Sequence, residues 1–392
     1  MSQYDAYDWR ALELSAQQPR WIRDDEQLAE RVAYWRTLPM VALDTEFQRV
    51  DTFYPIPGLI QLADDQHCYL IDPLTINDFG PFKALLEDPA VLKALHASTE
   101  DLELFFNSYD AQPRPLFDTQ VAAAMIGWGS SMGLRRMLEQ ELQVELAKEE
   151  TTSNWLQRPL TQAQEHYAAL DVAYLPEIVR RQQAKLTELA RSDWLAQECE
   201  ALLALAHDSD PEGLFYYKRF SQMYRRNDKQ IAALRDLSAW RERVCRRDNV
   251  PRNRVLRNQA LLQLVDRWPQ NKPQLGRLSE MRHRSLRMYG DQIMEILAQA
   301  AQSAKDNPPE AIPQPLHMYW APHMKAVKAA VRKLAEQWQL PPEVLLRKKE
   351  LESLIRSADK QGNYQLPEEM TDWRRTEVGP VVLEALAALE NK

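Results

Sequence analysis

Apolar and polar positions change rhythm once along this chain, near Asp208. Before that point, short apolar runs alternate with stretches of helical spacing. Residues 40–47 form an apolar run that predicts a strand, and 58-GLIQLAD-64 and 67-HCYLID-72 predict a hairpin around the turn-like Asp64-Asp65-Gln66. The run 91-VLKALHAST-99 predicts a further strand ending at Ser98. A helix is expected from Trp21 onward, with Asp24 and Asp25 as cap candidates and Leu28, Val32 and Trp35 at helical spacing. Further helices are expected at 80–87, 99–107, 118–127, 131–142 and 161–190. Pro176 removes the amide that would bond Val172, so the last should kink just past Asp171. Mixed strands and helices predict an α/β domain over 19–205, preceded by a loose polar extension at 1–18.

Beyond Asp208 the strand signals stop. Amphipathic helices broken at Pro251, Pro269 and Pro273 follow, and the loop 306-DNPPEAIPQP-315 splits them into modules at 211–300 and 305–392. Set at an offset of 90, 251-PRNRVLRNQALLQLV-265 overlies 341-PPEVLLRKKELESLI-355. Pro251 falls on Pro341, Leu256 on Leu346, Arg257 on Arg347 and Leu261 on Leu351. A shared proline followed by apolar residues at helical spacing points to a duplicated module. Generic amphipathic helices can also align in this way.

Charge sharpens the division. Residues 1–200 carry 17 basic and 33 acidic side chains, residues 211–300 carry 19 and 9, and residues 301–392 carry 13 of each. An acidic front and a basic middle suggest a cation-binding part joined to a polyanion-binding part, against the simpler reading of chance surface charge. No apolar run approaches the ~18 residues of a membrane span. The acidic start lacks the apolar segment of a signal peptide, and three cysteines without metal-ligand spacing fit a reducing cytosol. A cytoplasmic location follows as an expectation.

Chemistry enters with 44-DTEF-47. Asp44 and Glu46 are two residues apart on a strand, so they share a face, and two like charges on an inner face repel. Asp101 follows in 96-HASTEDLELF-105, where it could equally be an acid at the start of a helix capped by Ser98. In 161-TQAQEHYAALDVAYLPEI-178, Thr161 and Gln164 form a capping-box signature, and Tyr167 and Asp171 lie at i and i+4 on one helix face. A half-buried aromatic is the commoner role for such a tyrosine. Hard cations such as Mg²⁺ take oxygen ligands, and two of them can bind both the attacking and the leaving oxygen of a phosphodiester. A cation pair would relieve the repulsion, with Asp44 bridging and Tyr167 orienting a water. Each piece alone is unspecific; their order is informative.

In that order the motifs resemble the DEDD 3′–5′ exonuclease superfamily, and within it the ribonuclease D family in its tyrosine-bearing subgroup. The stretches 58-GLIQL-62, 71-IDPL-74, 117-FDTQVAAAM-125 and 155-WLQRPLT-161 are similar to that family in the same order, and the helical modules resemble HRDC domains. The likeness spans about residues 20–392. It implies an α/β RNase H-like exonuclease domain followed by two all-α HRDC-type domains. It implies a 3′–5′ exoribonuclease that uses two divalent metal ions, Mg²⁺ or Mn²⁺, releases nucleoside 5′-monophosphates and trims tRNA precursors and other structured RNAs. Carried over, Asp44, Glu46, Asp101 and Asp171 would be metal ligands and Tyr167 would position the attacking water. Asn154 departs from the pattern, standing where an acid is expected before Trp155.

Asp118 reads as a helix N-cap rather than a ligand. Gln61 and His96, near the expected metal end of the sheet, could contact the RNA backbone or sit satisfied in the core. Arg246, Arg247, Arg252 and Arg254, with 282-RHRSLR-287, could pair with RNA phosphates or be a solvated helix surface. The near-neutral second module is expected to pack against the rest. The expected partner is RNA with a 3′ extension, with no membrane, no dedicated protein partner and a monomeric chain. A DNA exonuclease of the same fold and a non-catalytic RNA-binding scaffold are the competing readings.

Overall fold

The computed structural model describes residues 8–146, 153–206, 210–359 and 361–390. The chain divides into two compact units: Met1–Gln48, Ile56–His207 and Leu316–Lys392 form one, Arg49–Pro55 and Asp208–Pro315 the other.

The first unit is built on a six-stranded sheet of β1 (Arg20–Ile22), β2 (Met40–Gln48), β3 (Ile56–Ala63), β4 (Cys68–Ile71), β5 (Leu92–Leu95) and β6 (Leu116–Asp118). The order is β1-β4-β3-β2-β5-β6. β2, β3 and β4 form an antiparallel meander, and β1, β5 and β6 run parallel to their neighbours. Val41, Ala42 and Leu43 are fully buried, so β2 reads as a continuous apolar run, as a strand covered on both faces does. Its polar residues come only at its C-terminal end. β1 and β6 carry no clear signal because each is three residues long.

Among the described residues before Asp208, this unit's helices are α1 (Trp9–Ala16), α2 (Asp25–Trp35), α3 (Gly80–Leu86), α4 (Thr99–Tyr109), α5 (Thr119–Met125), α6 (Leu134–Leu142), α7 (Gln162–Ala173), α8 (Leu175–Glu188) and α9 (Ser192–Ala206). α1 corrects the expected loose extension. Asp8 caps it by accepting from the Arg10 amide, and Leu12 and Ala16 are fully buried. Two buried residues on eight gave too little pattern to read; residues 1–7 lie outside the described residues. Thr161 and Gln164 form the expected capping box of α7. The single helix expected over 161–190 breaks at Tyr174, where Pro176 leaves Val172 without its amide donor. Ser98 stands at the N-cap of α4 but makes no side-chain cap; its hydroxyl donates to Asp118 instead, at 2.8 Å.

The second unit holds α10 (Asp228–Asp248), α11 (Arg252–Val255), α12 (Asn258–Arg267), α13 (Lys272–Gly276) and α14 (His283–Asp306) around its own core of Leu234, Leu237, Leu261, Leu264 and Ile293. Phe53 joins this core, and the amides of Phe53 and Tyr54 both donate to Asn249 Oδ1.

The C-terminal module, α15 (Ala321–Trp338), α16 (Pro342–Leu345), α17 (Lys348–Arg356), α18 (Asp372–Glu377) and α19 (Gly379–Glu390), belongs to the first unit. Its backbone repeats that of α10–α12 at the offset of 90. Asn249 and Gln339 close α10 and α15 in left-handed conformation, at φ 47° and 54°. Pro251 and Pro341 start α11 and α16, Leu256 and Leu346 are extended, and Arg257 and Arg347 start α12 and α17. Glu198 of α9, 3% exposed, joins this module to the α/β core. It accepts from Arg374 Nη1 at 2.5 Å, Arg347 Nη2 at 2.5 Å, Trp373 Nε1 at 2.8 Å and Thr371 Oγ1 at 2.9 Å. Trp194 and Trp373 stack beside it, ring centroids 4.4 Å apart.

Candidate active site

The site forms where β2 leaves the core. Asp44 and Glu46 stand opposite Gln61 and Leu59 of β3, and an irregularity in register follows between Glu46 and Phe47. Asp101 arrives from the first turn of α4. The turn before it places Ala97 at φ 55°, and Asp118 holds it by accepting from the Ser98 amide at 2.8 Å. The same carboxylate caps α5 through the Gln120 and Val121 amides, as expected. Thus Asp118 shapes the approach of Asp101 without joining it.

α7 supplies Tyr167 and Asp171, and two neighbours fix it. Behind it lies α1, where His166 Nδ1 is 3.0 Å from the Ala16 carbonyl and the Tyr174 hydroxyl donates to Glu13 at 2.7 Å. Before it runs the segment 153–160, held by Arg158. That guanidinium donates to both Asp72 oxygens at 2.6 and 2.8 Å, to the Trp155 and Gln157 carbonyls, and to the Gly58 carbonyl at 2.7 Å. Buried Trp155 then lies 6.2 Å from the Tyr167 ring. Gly58 permits this approach, since a Cβ there would come within 2.8 Å of Trp155 Cβ. Asp72, Arg158 and Gly58 are residues to which the sequence assigned no role. Asn154 closes its own turn by accepting from the Leu156 amide.

Electrostatics show that the five side chains share one environment. Burial, then Asp171, holds the Asp44 carboxyl well above the usual carboxylate range. Burial pushes Glu46 up to about 9, with Asp44, Asp171 and Asp101 adding to it. Burial and then Asp44 raise Asp101, opposed by the Thr45 hydroxyl that donates to it. Burial, Asp171, Glu46 and Asp44 raise the Tyr167 phenol, which stays protonated at neutral pH. Four acids so placed cannot all ionise without a counter-charge. The donor set, all carboxylate oxygen, suits a hard divalent cation. As the side chains stand, no three His, Cys, Asp or Glu side chains among the described residues are gathered to hold an ion, and Asp101 is engaged by Thr45 instead. A cleft of about 910 Å³ opens onto Asp44, Tyr167 and Asp171, with His96, Leu134 and Arg135 on its walls.

The remaining candidates divide. Gln61 is fully buried, so it cannot touch RNA as expected, and neither amide atom has a partner. His96 is half-buried on the cleft wall, its Nδ1 2.8 Å from Thr119 Oγ1, and burial lowers its pKa. Arg246 and Arg252 are engaged within their own module. Both pair with buried Glu242, at 2.9 Å and at 2.6 and 2.7 Å, and both stack on Phe53. They neutralise a buried acid and pack on a core ring, with 17% of the Arg246 side chain and 36% of the Arg252 side chain still exposed. Arg247 and Arg254 are exposed, paired with exposed Asp248 and Asp51.

Comparison with known proteins decides the family. A 3′-5′ exonuclease model matches residues 19–187, and an HRDC domain model matches residues 230–297. The chain is 44% identical to the ribonuclease D of Pseudomonas paraeruginosa over 95% of its own length and 99% of that protein. The chain belongs to the ribonuclease D family. The ribonuclease D of Escherichia coli is 34% identical over 93% of this chain and 96% of that protein. The crystal structure of Escherichia coli RNase D, described as an exoribonuclease involved in structured RNA processing, matches with a TM-score of 0.85 at 31% identity, covering 95% of this chain and 99% of that one. Ribonuclease D enzymes are exoribonuclease hydrolases, and their exonuclease fold carries a dependence on divalent metal. The HRDC match falls on the basic module of the second unit; the C-terminal module carries the same backbone pattern without that match.

Proposed function

We propose that Asp44, Glu46, Asp101 and Asp171 hold two divalent cations, Mg²⁺ or Mn²⁺, and that the chain shortens structured RNA from its 3′ end, releasing nucleoside 5′-monophosphates. Precursors of tRNA with a 3′ extension are the substrate class that fits the family. The observation that carries the reading is the raised carboxyls of Asp44, Glu46 and Asp101, which oppose one another's charge and that of Asp171, an arrangement costly without cations. When bound, the cations supply counter-charge to the reacting phosphoryl group and activate a water. The chain's own part is orientation. Asp44 and Glu46 stand on a rigid central strand, and Asp101 is set by the turn that Asp118 holds. Tyr167 keeps its proton, so it acts as a hydrogen-bonding group that orients the attacking water and not as a base. Arg135 offers the cleft a cation for a phosphate.

In the second unit, Arg247, Arg254, Arg282, Arg284 and Arg287 are exposed and suit phosphate contacts, which give salt-dependent affinity without sequence reading. A monomer acting in the cytoplasm is the reading we adopt; no helix among the described residues is long and apolar enough to cross a membrane. The test uses a 5′-labelled tRNA-like RNA with a short 3′ extension, and matched DNA, with wild type and Asp44→Asn. A metal-dependent ladder shortening from the RNA 3′ end, absent in Asp44→Asn, is the expected result. Shortening of DNA alone would move the assignment to a DNA exonuclease, and binding without cleavage of either would leave a scaffold.

A further inference from the structure

Gln61 has an anomaly that the site as described does not use. It lies in the middle of β3, fully buried, and both its amide nitrogen and its amide oxygen lack a hydrogen-bond partner. Buried side-chain amides are rarely left so. A leucine or methionine of similar volume would fill the space without stranding any polar atom. Packing therefore gives no reason for the amide.

Its register does. Gln61 is the direct antiparallel partner of Asp44, so the two side chains project from the same face of the sheet as neighbours. A carboxylate that must hold a cation needs its rotation fixed by a donor on its other side. A glutamine amide supplies that donor without adding a further negative charge and without titrating.

We infer that Gln61 is a positioning residue for Asp44: in the cation-loaded protein its amide donates to the Asp44 carboxylate and fixes how that group faces the metal site. The inference rests on the metal reading above. It assigns the amide a partner that exists only when Asp44 is drawn into ligation.

The test is calorimetric titration of the full chain with Mn²⁺, without RNA, alongside thermal unfolding of the metal-free protein and steady-state kinetics on RNA. Wild type should bind Mn²⁺ and Asp44→Asn should not. Gln61→Leu should weaken Mn²⁺ binding about 10–100-fold. Its metal-free melting temperature should equal or exceed that of wild type, because a stranded amide has been removed. Its kcat should fall while KM for RNA holds. Gln61→Met repeats the measurement with a more flexible side chain should the leucine variant fail to fold. Wild-type Mn²⁺ affinity in a folded Gln61 variant would overturn the positioning role and leave the metal site standing. Absence of Mn²⁺ binding by wild type would overturn both. Loss of folding in both variants would make Gln61 a structural residue and overturn the proposal.

Discussion

Removing the Glu198 carboxylate should unlatch the C-terminal module. Glu198 and Arg374 are 3% and 2% exposed, and four donors converge on the acid. Glu198→Ala leaves the Arg374 guanidinium buried without its counter-charge and strips the Trp373 indole N–H of its acceptor. Breaking a buried pair from one side costs about 3–5 kcal/mol. Arg347 is half exposed and can turn to water, which keeps the loss from growing further. At about 4 kcal/mol, and about 2–4 °C of melting temperature per kcal/mol for a domain of this order, the first transition should fall by roughly 8–16 °C. Differential scanning calorimetry of the full chain reads it. Replacing both partners, Glu198→Leu with Arg374→Met, should recover at least half the loss, because an apolar pair of similar volume is often as stable as the buried ion pair. A shift under about 2 °C for the single variant, or no recovery in the double, would refute the argument.

Three further outcomes follow from the site. Tyr167→Phe keeps the ring against Trp155 but loses the hydroxyl; kcat on RNA should fall by about 10²-fold or more with an unchanged melting temperature. Gly58→Ala drives a methyl into Trp155 and should destabilise by about 1–3 kcal/mol in denaturant titration, with activity falling in parallel as Tyr167 loses its support. In metal-free protein, Glu46 titrates near 9 against an ordinary 4.5, and Asp44 and Asp101 are also raised. Raised carboxyl pKa values stabilise the fold fully below the unfolded values, and that contribution is lost as pH climbs through the folded ones. The metal-free melting temperature should therefore decline from pH 5 to pH 9, and saturating Mg²⁺ should flatten the decline.

The parts legible in the sequence were those written in local pattern. β2 announced itself as an apolar run ending in D-x-E, the Thr161–Gln164 box marked the start of α7, and Pro176 marked its end. The likeness at offset 90 was readable because a shared proline followed by apolar residues at helical spacing leaves a signature; the left-handed helix ends at Asn249 and Gln339 show only in the structure. What escaped depends on distance in space. β1 and β6 are three-residue strands defined by the neighbours they pair with. α1 buries two residues against α7, too few to read alone. Gln61, Arg246 and Arg252 looked like RNA contacts by residue type; Gln61 is buried among neighbouring strands, and Arg246 and Arg252 converge on Glu242, the first from the same helix and the second from α11. The carboxylates were found because their chemistry demands proximity; Arg158 and Asp72 form an ordinary ion pair whose role shows only once Trp155 and Gly58 are seen beside it.

The arginine that opens the third helix of each repeat has met two different fates. Arg257 faces Glu280 of its own module at 3.6 Å, half exposed, whereas Arg347 leaves its module to bind Glu198 at 2.5 Å. The same backbone pattern thus carries its arginine outward in one module and sealed against the enzyme body in the other. The copies are not interchangeable parts. A chimaera carrying the basic module in both places would bring Arg257 to Glu198 without the Trp373 that stacks on Trp194, and a shortened chain ending before Leu316 would leave Trp194 and an unanswered acid on an open face.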